Sequence, residues 1–489
     1  MIMASASTFC PNGTLHRYTS TSLSTRGCPA FASDSTLFGL KLPHKSFSLS
    51  VGETRIIRTK STRFSGFNPI SASHQAFDVV IIGAGIIGLT LARQFLIESH
   101  LSVAVVDKCV PCSGATGAGQ GYIWMAHKTP GSDIWDLAMR SRKLWEMLAE
   151  SIREKGLDPL VELGWKKTGS LLVGRTPAEL DVLKKRVKQL REAGLKAEYL
   201  CSSDLVEEEP SLLVDKESGA AFFPDDCQLD AHHTVAFIEK ANRYFASKGR
   251  YAEFYHEPVK CFIRGRNGEV EAVQTLKNTL YGKAIVVAAG CWTGSLIHDL
   301  GIELHVPVRP RKGHLLVLEN FDSLQLNHGL MEAGYINHQT INSPPTLSSS
   351  EQSDHERTLS VSMTATLDAS GNLLLGSSRE FVGFNTELDE SIVNYIWDRA
   401  GDFFPKLKRL NLSDLSGSRK VRVGLRPYMP DGKPVIGPVP GLSNVYLAAG
   451  HEGGGLSLAL GTAEMVTDMV LGRHGIIDNS PFALQGRCS

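Results

Sequence analysis

The sequence predicts an α/β fold, α+β overall, on the strength of three observations. A strand, a glycine turn and a helix follow one another in "FDVVIIGAGIIGLTLARQFL", and the same order returns near the other end in "NVYLAAGHEGGGLSLALGTA". Between these parts, residues 163–221 carry a separate strand and a charged helix, which indicates a second domain. A chain of 489 residues is long enough for two or more domains.

The composition is that of an ordinary globular protein with balanced charge. Hydrophobic residues make up 42% and charged residues 21% of the chain, and 51 basic side chains match 51 acidic ones. This balance gives no reason to expect a nucleic acid or an anionic membrane surface as partner. Because no run of about 18 apolar residues occurs, we expect no membrane span.

Residues 1–72 differ from the rest of the chain. They are rich in Ser and Thr, carry scattered Arg and Lys, have only Asp34 and Glu53 as acids, and lack hydrophobic periodicity. This composition favours an organelle transit peptide over a merely disordered tail, and a plastid over a mitochondrion as its destination. Folded structure is expected to begin near Phe77.

The first glycine turn predicts a dinucleotide site. An apolar, β-branched strand at residues 77–82 leads into Gly83, Gly85 and Gly88, which have the spacing G-x-G-x-x-G. The first glycine permits the tight turn, the second lets the backbone approach a pyrophosphate, and the third allows helix and strand to pack closely. The helix that begins near Ile86 offers its free N–H groups to the phosphates.

Further residues are expected around the same cofactor. Asp107 ends the next strand, where a carboxylate can accept hydrogen bonds from an adenosine ribose. A loop of small residues and the ends of two later strands supply more candidates for lining the cofactor: Ser113, Thr116, Gly117, Gly119, Gln120, Val259, Gly290 and Trp292. This turn by itself leaves NAD(P) and FAD open.

The middle of the chain predicts helices and an exposed loop, without candidate catalytic residues. Thr176 is the expected N-cap of the charged helix, with Pro177 at its first position, and another helix begins near Asp230. The Ser- and Pro-rich stretch Ile341–Arg357 predicts an exposed loop.

No metal site is expected. Cys109 and Cys112 form a C-x-x-C, but zinc needs a second pair, and a redox pair favours a helix N-terminus. His232 and His233 are adjacent on a helix, so their side chains diverge.

The second glycine turn predicts a flavin. A strand at residues 445–449 and a turn at residues 450–455 precede an apolar helix at residues 456–471. A nicotinamide cofactor needs only one such turn for its pyrophosphate. A reduced flavin also carries negative charge at N1–C2=O, which a helix N-terminus stabilises. We therefore expect one long FAD, with its pyrophosphate at Gly83 and its pyrimidine ring at residues 453–456.

Arg426 is the candidate substrate anchor. It lies in "GLRPYMPDG", between an apolar strand and a proline bend. A guanidinium there favours a bidentate anion, and a substrate carboxylate is the natural partner. The alternative is a structural ion pair with a carboxylate such as Asp431.

The sequence resembles the D-amino-acid oxidase superfamily, in the branch of glycine oxidase, sarcosine oxidase and the related D-amino-acid and opine dehydrogenases. The resemblance covers roughly residues 77–472 and rests on "VVIIGAGIIG", "VVAAGCWTG", "GLRPYMPDGKPVIG" and "LAAGHEGGGLSLALGTA". It implies a Rossmann-like FAD-binding domain built from discontinuous segments, and a substrate domain with an antiparallel sheet.

The resemblance also assigns individual residues. Arg426 matches the arginine that binds the substrate carboxylate, and Tyr335 matches a tyrosine near that carboxylate in glycine oxidase. The positions that match FAD contacts are Ile86, Ile87, Asp107, Lys108, Val259, His451, Glu452, Gly453, Gly454, Gly455, Leu456 and Ser457. The cysteine that tethers flavin in sarcosine oxidase has no counterpart in "GLRPYMPDG", so FAD should be held non-covalently. Where glycine oxidase has a side chain, this chain has Gly453.

The expected domain division follows from the same resemblance. Residues 1–72 form the transit peptide and 476–489 a tail. The FAD-binding domain takes residues 73–160, 240–310 and 418–475, and the substrate domain takes 161–239 and 311–417.

The predicted function is oxidation of the C–N bond of a small amino acid: a D-amino acid, glycine, or an N-methyl or imino acid. Hydride passes to flavin N5, Arg426 anchors the carboxylate, Tyr335 or Tyr428 assists, and no side-chain base is required. The electron acceptor, oxygen or another oxidant, stays open. Two alternatives are an NAD(P)-dependent dehydrogenase and a flavoprotein-like assembly or scaffold factor without turnover.

Overall fold

A computed structural model of the chain describes residues 36–37, 40–41, 73–299, 304–335 and 359–487. The expected transit peptide lies outside these residues except for two short antiparallel strands, Thr36–Leu37 and Leu40–Lys41. The predicted loop Ile341–Arg357 also lies outside them. No helix in the described part of the chain is long and apolar enough to cross a membrane.

The elements from residue 73 onward are numbered in chain order. The strands are β1 Ser73–Ile82, β2 Val103–Val106, β3 Tyr122–Ile123, β4 Ser170–Gly174, β5 Glu198–Leu200, β6 Gly219–Phe223, β7 Cys227–Gln228, β8 Tyr251–Phe254, β9 Cys261–Arg264, β10 Val270–Gln274, β11 Asn278–Val287, β12 Arg309–Leu318, β13 Gly329–Glu332, β14 Ser360–Leu367, β15 Leu373–Arg379, β16 Arg419–Tyr428, β17 Val435–Pro438 and β18 Val445–Ala449. The helices are α1 Ile86–Glu98, α2 Trp135–Arg153, α3 Pro159–Leu163, α4 Pro177–Glu192, α5 Ser202–Glu208, α6 Ala231–Arg243, α7 Thr293–His298, α8 Glu390–Phe403, α9 Pro405–Lys408 and α10 Gly455–Val470. Short 3₁₀ turns lie at Ala246–Lys248, Gly290–Trp292, Leu412–Leu415, Glu452–Gly454 and Ser480–Phe482.

The first sheet is the predicted parallel one. Its parallel strands run in the order β8–β2–β1–β11–β18, and β9, β10 and β17 extend it antiparallel. The long strand β11 pairs with β1 along one edge, and with β10 and then β18 along the other. Residues from three distant parts of the chain therefore meet in one sheet, as the resemblance implied.

Three helices pack together beside this sheet. The Thr90 hydroxyl of α1 donates to the Ala459 carbonyl of α10 over 3.4 Å. The Trp145 indole of α2 donates to the Leu456 carbonyl over 3.0 Å, and Trp145 is fully buried. Helix α10 thus lies between α1 and α2, with its N-terminus close to the carboxyl ends of the parallel strands.

The second sheet forms the other domain. Its strand order is β16–β12–β15–β14–β13–β4–β6–β5, and the pairing is antiparallel except between β13 and β4. Helix α8 packs against β12, β14 and β15, where the Asp389 N–H donates to His314 Nε2 over 3.3 Å. The opposite face of β12 and β16 is turned away from α8.

Strand β16 differs from the expected domain division. Residues 418–475 were assigned to the FAD-binding domain, but β16 pairs along its whole length with β12 in the second sheet. The cause is long-range register: ten consecutive residues of each strand are partners, from Arg309 with Tyr428 to Leu318 with Arg419. The FAD-binding sheet resumes only at β17.

Candidate cofactor and substrate site

The first glycine turn contains two glycines that the fold itself requires. Gly83 has φ +116°, and a Cβ there would lie 2.3 Å from the Ala288 carbonyl oxygen at the end of β11. A Cβ on Gly88 would lie 1.8 Å from the Gly83 carbonyl oxygen. Both clashes are with backbone, so neither position accepts a side chain.

Gly85 is different, because the protein leaves room for a side chain there. A Cβ on Gly85 would meet only the Thr116 hydroxyl oxygen, at 3.3 Å, and its backbone is extended, with φ −73° and ψ 177°. The absence of a side chain at this N-cap is therefore not required by packing. It keeps the approach to the start of α1 open.

The two glycine-led helices lack the side-chain caps that four other helices have, as do α2, α7 and α9. Side chains bond to the first turns of α3, α4, α6 and α8, the caps being Asp158, Thr176, Asp230 and Asp389. Thr176 and Asp230 confirm the predicted helix starts. Helices α1 and α10 have Gly85 and Gly454 at their N-cap positions, so neither has a side-chain cap, and neither has an acid in its first turn. The Ile86 N–H donates to the Thr116 hydroxyl, but the other N–H groups of the two helix starts and the positive end of each helix dipole are left for an anionic ligand.

Asp107 supports the first turn. One of its carboxylate oxygens accepts the Ala84 N–H and the other accepts the Cys109 N–H, each over 2.7 Å. A carboxylate oxygen has two acceptor directions, so these bonds leave capacity for a ribose hydroxyl. The ribose contact stays a prediction.

The other strand ends meet beside Asp107. The Lys108 ammonium lies 3.3 Å from the centroid of the Trp292 ring, at the 3₁₀ turn that Gly290 begins with φ +56°. Val259 is half-buried and packs against the core of the first sheet. The structure thus brings Lys108 and Trp292 together, two residues predicted to line the cofactor.

The loop after β2 touches both helix N-termini. The Thr116 hydroxyl accepts the Ile86 N–H over 3.1 Å, and a Cβ on Gly119 would lie 2.9 Å from Leu456 Cδ1. Gly117 packs against the Cys112 carbonyl, whereas Ser113 is exposed. The loop therefore spans the space between the two glycine turns.

Gln120 connects this loop to the second sheet. Its amide nitrogen donates to the Leu374 carbonyl over 3.2 Å, and its amide oxygen accepts the Thr364 hydroxyl over 2.9 Å. Both ends of its side-chain amide are thus bonded to β14 and β15, and the predicted cofactor contact of Gln120 stays a prediction. Its role in the described structure is to hold the two domains together.

The second glycine turn is built as the sequence predicts, with β18 at Val445–Ala449. Gly450 has φ +77°, and a Cβ there would lie 2.4 Å from Met429 Cγ. The buried His451 ring shares a 3.0 Å hydrogen bond with the Thr462 hydroxyl, and burial lowers the pKa of His451 to about 3. His451 is therefore neutral, and its hydrogen bond to Thr462 ties the second glycine turn to α10.

The start of α10 faces a buried ammonium. A Cβ on Gly454 would lie 3.5 Å from Lys128 Nζ, and burial lowers the pKa of Lys128 to about 8. Ser457 donates its hydroxyl back to the Gly454 carbonyl over 3.0 Å. Gly453 and Gly455 have no neighbour close to a Cβ position, apart from His451 Cβ at 4.0 Å from that of Gly455. This end of α10 offers a positive, open surface.

Arg426 lies on the face of the second sheet that is turned away from α8. It is the cross-strand partner of Arg311, and its Nη1 donates to the Ser378 carbonyl over 2.9 Å. A Cβ on Gly313 would lie 2.1 Å from the same Nη1, so that glycine makes room for the guanidinium. Asp431, the alternative partner, forms a bidentate pair with Arg487 instead.

The carboxylate near Arg426 belongs to Glu452. This residue has φ +47° in the second glycine turn and forms an ion pair with Arg311. Burial opposes ionisation of the Glu452 carboxyl, but the charges of Arg311, Arg426 and Arg379 outweigh it and lower its pKa to about 2. Burial lowers the pKa of Arg426, and the Glu452 charge counteracts this effect.

Tyr335 joins the same cluster. Its ring centroid lies 4.2 Å from the Arg379 guanidinium carbon, and both residues act electrostatically on Arg426. Tyr428 lies under Arg311, with 4.9 Å between its ring centroid and the guanidinium carbon. The structure therefore brings Arg426 and Tyr335, the two predicted catalytic residues, into one charged cluster.

Three basic residues of this region were not found from the sequence. Arg311 and Arg379 lie at strand ends in "RPRKG" and "SSREF", and Lys128 lies in a loop. Charged residues at the ends of otherwise apolar strands were the available signal. Nothing local in the sequence indicates that these segments converge.

The residues set aside as metal or redox candidates have other roles. Burial raises the pKa of the Cys112 thiol to about 12, which suppresses the thiolate that redox chemistry needs. Asp230 caps α6 by accepting the N–H groups of His232 and His233. Within the described ranges, no group of three or more His, Cys, Asp or Glu side chains is placed to hold a metal ion.

Comparison with known proteins agrees with this architecture. The family model described as "FAD dependent oxidoreductase" (DAO) matches residues 78–469. Glycine oxidase of Pseudomonas aeruginosa is 28% identical over 418 residues, which cover 84% of this chain and 99% of that protein. D-amino acid dehydrogenase of Allorhizobium ampelinum is 26% identical over 453 residues, covering 83% and 97%. The crystal structure of glycine oxidase from Geobacillus kaustophilus matches with a TM-score of 0.70 at 23% identity, covering 84% and 99%, and this likeness shows the fold.

Proposed function

The chain belongs to the family of FAD dependent oxidoreductases, and from this premise we propose that it oxidises the C–N bond of a small amino acid to an imino acid. Water then hydrolyses the imino acid. The cofactor is FAD, and relatives in the family are amino-acid oxidases and dehydrogenases. The substrate class we propose is glycine, a D-amino acid, or an N-methyl or imino acid.

The residues of the two glycine turns fit FAD. Gly85 and the first N–H groups of α1 would hold the pyrophosphate, because packing leaves that surface open. Gly454 and the start of α10, beside Lys128, would face the pyrimidine end. When bound, the flavin supplies the hydride acceptor, N5. "GLRPYMPDG" lacks a cysteine that would tether it, so we propose non-covalent binding.

The observation that carries the proposal is the environment of Arg426. This residue is half-buried among strands of the second sheet, and no carboxylate of the described residues lies within ion-pair distance of it. A substrate carboxylate would supply the missing anion and fix the amino acid by a bidentate contact. Tyr335 and Tyr428 line the same cluster and would exclude water from it.

Positioning is the main contribution that the chain makes to catalysis. Arg426 would hold the substrate by one end, so that the α-carbon hydrogen is presented in a fixed place. A substrate amine that binds neutral needs no side-chain base. Lys128 and the N-terminus of α10 would stabilise the negative charge that develops as the hydride is transferred.

Two alternative functions, an NAD(P)-dependent dehydrogenase and a scaffold factor without turnover, are disfavoured for different reasons. Family membership decides for FAD against an NAD(P)-dependent dehydrogenase. An assembly or scaffold factor without turnover would need FAD but no carboxylate clamp, so Arg426, which has no carboxylate of the described residues as an ion-pair partner, weighs against it. The acceptor, oxygen or another oxidant, is decided by whether the reduced enzyme is reoxidised rapidly in air.

The test is anaerobic reduction of the flavin. Purified protein should be yellow, and a small amino acid should bleach the flavin absorption. Arg426→Ala should keep FAD but lose about ten- to hundredfold in reduction rate for each hydrogen bond to the carboxylate, since such bonds contribute about 1.5–3 kcal/mol. Arg426→Lys should restore little of the reduction rate, because a lysine ammonium cannot make the bidentate contact that a guanidinium makes with a carboxylate. Lys420→Ala is the matched control, since Lys420 lies on the same strand but pairs with Glu319 at the surface.

Two outcomes would contradict the proposal. If Arg426→Ala is reduced by amino acids at the wild-type rate, Arg426 does not bind the substrate. If an amine without a carboxylate is as good a substrate as the amino acid, the substrate class is wrong.

A further inference from the structure

The cluster around Arg426 contains more positive charge than one amino-acid carboxylate can neutralise. Three guanidiniums, those of Arg311, Arg379 and Arg426, act on the single carboxylate of Glu452. Guanidiniums stay charged at any physiological pH, and buried charge without a counter-ion is costly. The three guanidiniums and Glu452 taken together therefore carry two surplus positive charges at neutral pH, and Lys128, which also interacts with Glu452, adds a further cation at the start of α10.

The three arginines are not equivalent. Arg311 forms the ion pair with Glu452 and is neutralised by it. Arg426 is oriented by the Ser378 carbonyl. No carboxylate of the described residues lies within ion-pair distance of Arg379, which is only 5% exposed.

Arg379 has a donor that is free for a ligand. Its Nη1 makes a long hydrogen bond to the Ser362 hydroxyl, 3.4 Å, while its Nη2 is buried without a hydrogen-bond partner. The Tyr335 ring, 4.2 Å away, lies over the guanidinium and fixes its plane. A buried, oriented guanidinium with an unsatisfied N–H is a site for an anion.

We propose that Arg379 forms a second carboxylate subsite and that the preferred substrate is a dicarboxylic amino or imino acid. This inference rests on the proposed function. Arg426 would take the carboxylate next to the oxidised C–N bond, and Arg379 the second carboxylate. A dianionic substrate balances both surplus charges, whereas a monocarboxylate leaves one buried guanidinium without a counter-ion.

The reduced flavin does not replace that second anion. A bound flavin would carry its negative charge at the N-terminus of α10, where Gly454 lies beside the buried Lys128. Arg379 ends strand β15 and contacts Tyr335 instead.

The experiment compares matched substrates on the FAD-loaded enzyme. The pairs are D-alanine with D-aspartate, and glycine with N-(carboxymethyl)glycine, each followed by anaerobic stopped-flow reduction of the flavin. For at least one pair, the dicarboxylate should be preferred by about tenfold or more in rate constant over dissociation constant. Arg379→Gln should bring that ratio close to one. Arg309→Gln is the control, because it removes an exposed arginine from the same sheet and should leave the ratio as in the wild type.

A second measurement, of ligand binding, does not depend on turnover and distinguishes a lost subsite from a misfolded variant. Malonate and acetate are titrated into the oxidised holoenzyme, and the shift of the flavin absorption gives their dissociation constants. Malonate should bind more tightly to the wild type, and Arg379→Lys should retain part of that advantage through its charge.

The outcomes separate this proposal from the proposed function. If monocarboxylates reduce the flavin as well as dicarboxylates do, or if Arg379→Gln slows both members of a pair equally, the subsite is refuted and the proposed function stands. If no amino acid reduces the flavin but malonate binds through Arg379, the subsite stands and the proposed function fails.

Discussion

Substitution of Gly85 separates what the ligand requires from what the fold requires. The Cβ of Gly85→Val would lie 3.3 Å from the Thr116 hydroxyl oxygen, and apart from the chain neighbours it would have no other protein atom within 4 Å. The extended backbone, φ −73° and ψ 177°, suits valine. The apoprotein should therefore fold with little loss of stability.

The substitution should instead weaken the binding of FAD. The valine methyl groups would occupy the space in front of the first N–H groups of α1, where the pyrophosphate is expected. Each charge-assisted hydrogen bond that is displaced costs about 1.5–3 kcal/mol, so losing two weakens FAD by about a hundredfold or more.

The assay combines two measurements on three variants. Urea unfolding of the apoprotein gives its stability, and quenching of flavin fluorescence gives the dissociation constant of FAD. Gly88→Ala should not fold, because its Cβ would lie 1.8 Å from the Gly83 carbonyl oxygen, and Gly114→Ala should match the wild type because nothing lies within 4 Å of its Cβ. A Gly85→Val protein that folds and binds FAD with the wild-type constant would refute the assignment of the pyrophosphate to this turn.

Three further predictions concern charge and targeting. Glu452 has a folded-state pKa of about 2 against its usual 4.5, so its ionisation stabilises the fold by about 3 kcal/mol above pH 4.5, a contribution lost as the pH falls towards 2. Glu452→Gln should lower the unfolding free energy of the apoprotein by about that amount at pH 7, and a difference that stays constant down to pH 2 would contradict the ion-pair interpretation. Lys128→Met should make the flavin harder to reduce in a dye-equilibration titration, and Lys420→Met, at the surface, should not; equal potentials for both variants would remove Lys128 from the site. We propose that residues 1–72 direct the protein to plastids, and a fluorescent fusion of residues 1–76 that stays in the cytosol would disprove this.

The sequence predicts those parts of the molecule whose causes are local. The helix starts at Ile86 and Pro177 follow from glycine spacing and from the capping residue Thr176, and strand Val445–Ala449 follows from its apolar run. Such signals lie within a few residues of the feature that they predict.

The rest of the site depends on contacts between distant segments. Arg311, Arg379 and Glu452 come from separate parts of the chain and meet only when the second sheet packs on the glycine turns. The pairing of β16 with β12, and the bonds from Gln120 to β14 and β15, are likewise long-range. No local pattern in one sequence encodes them.

The discontinuous first sheet has a consequence for synthesis of the chain. Helix α1 is made early, and its fully buried Leu89 and Leu91 show how much apolar surface it carries. Its neighbour α10 emerges from the ribosome almost last, because it begins only at Gly455. During most of translation the side of α1 that packs against α10 therefore stays uncovered, although β1, β2 and α6 already cover other sides of it, and such exposed apolar surface binds chaperones or aggregates. A message truncated anywhere before α10 gives no smaller working enzyme, only a polypeptide suited to degradation.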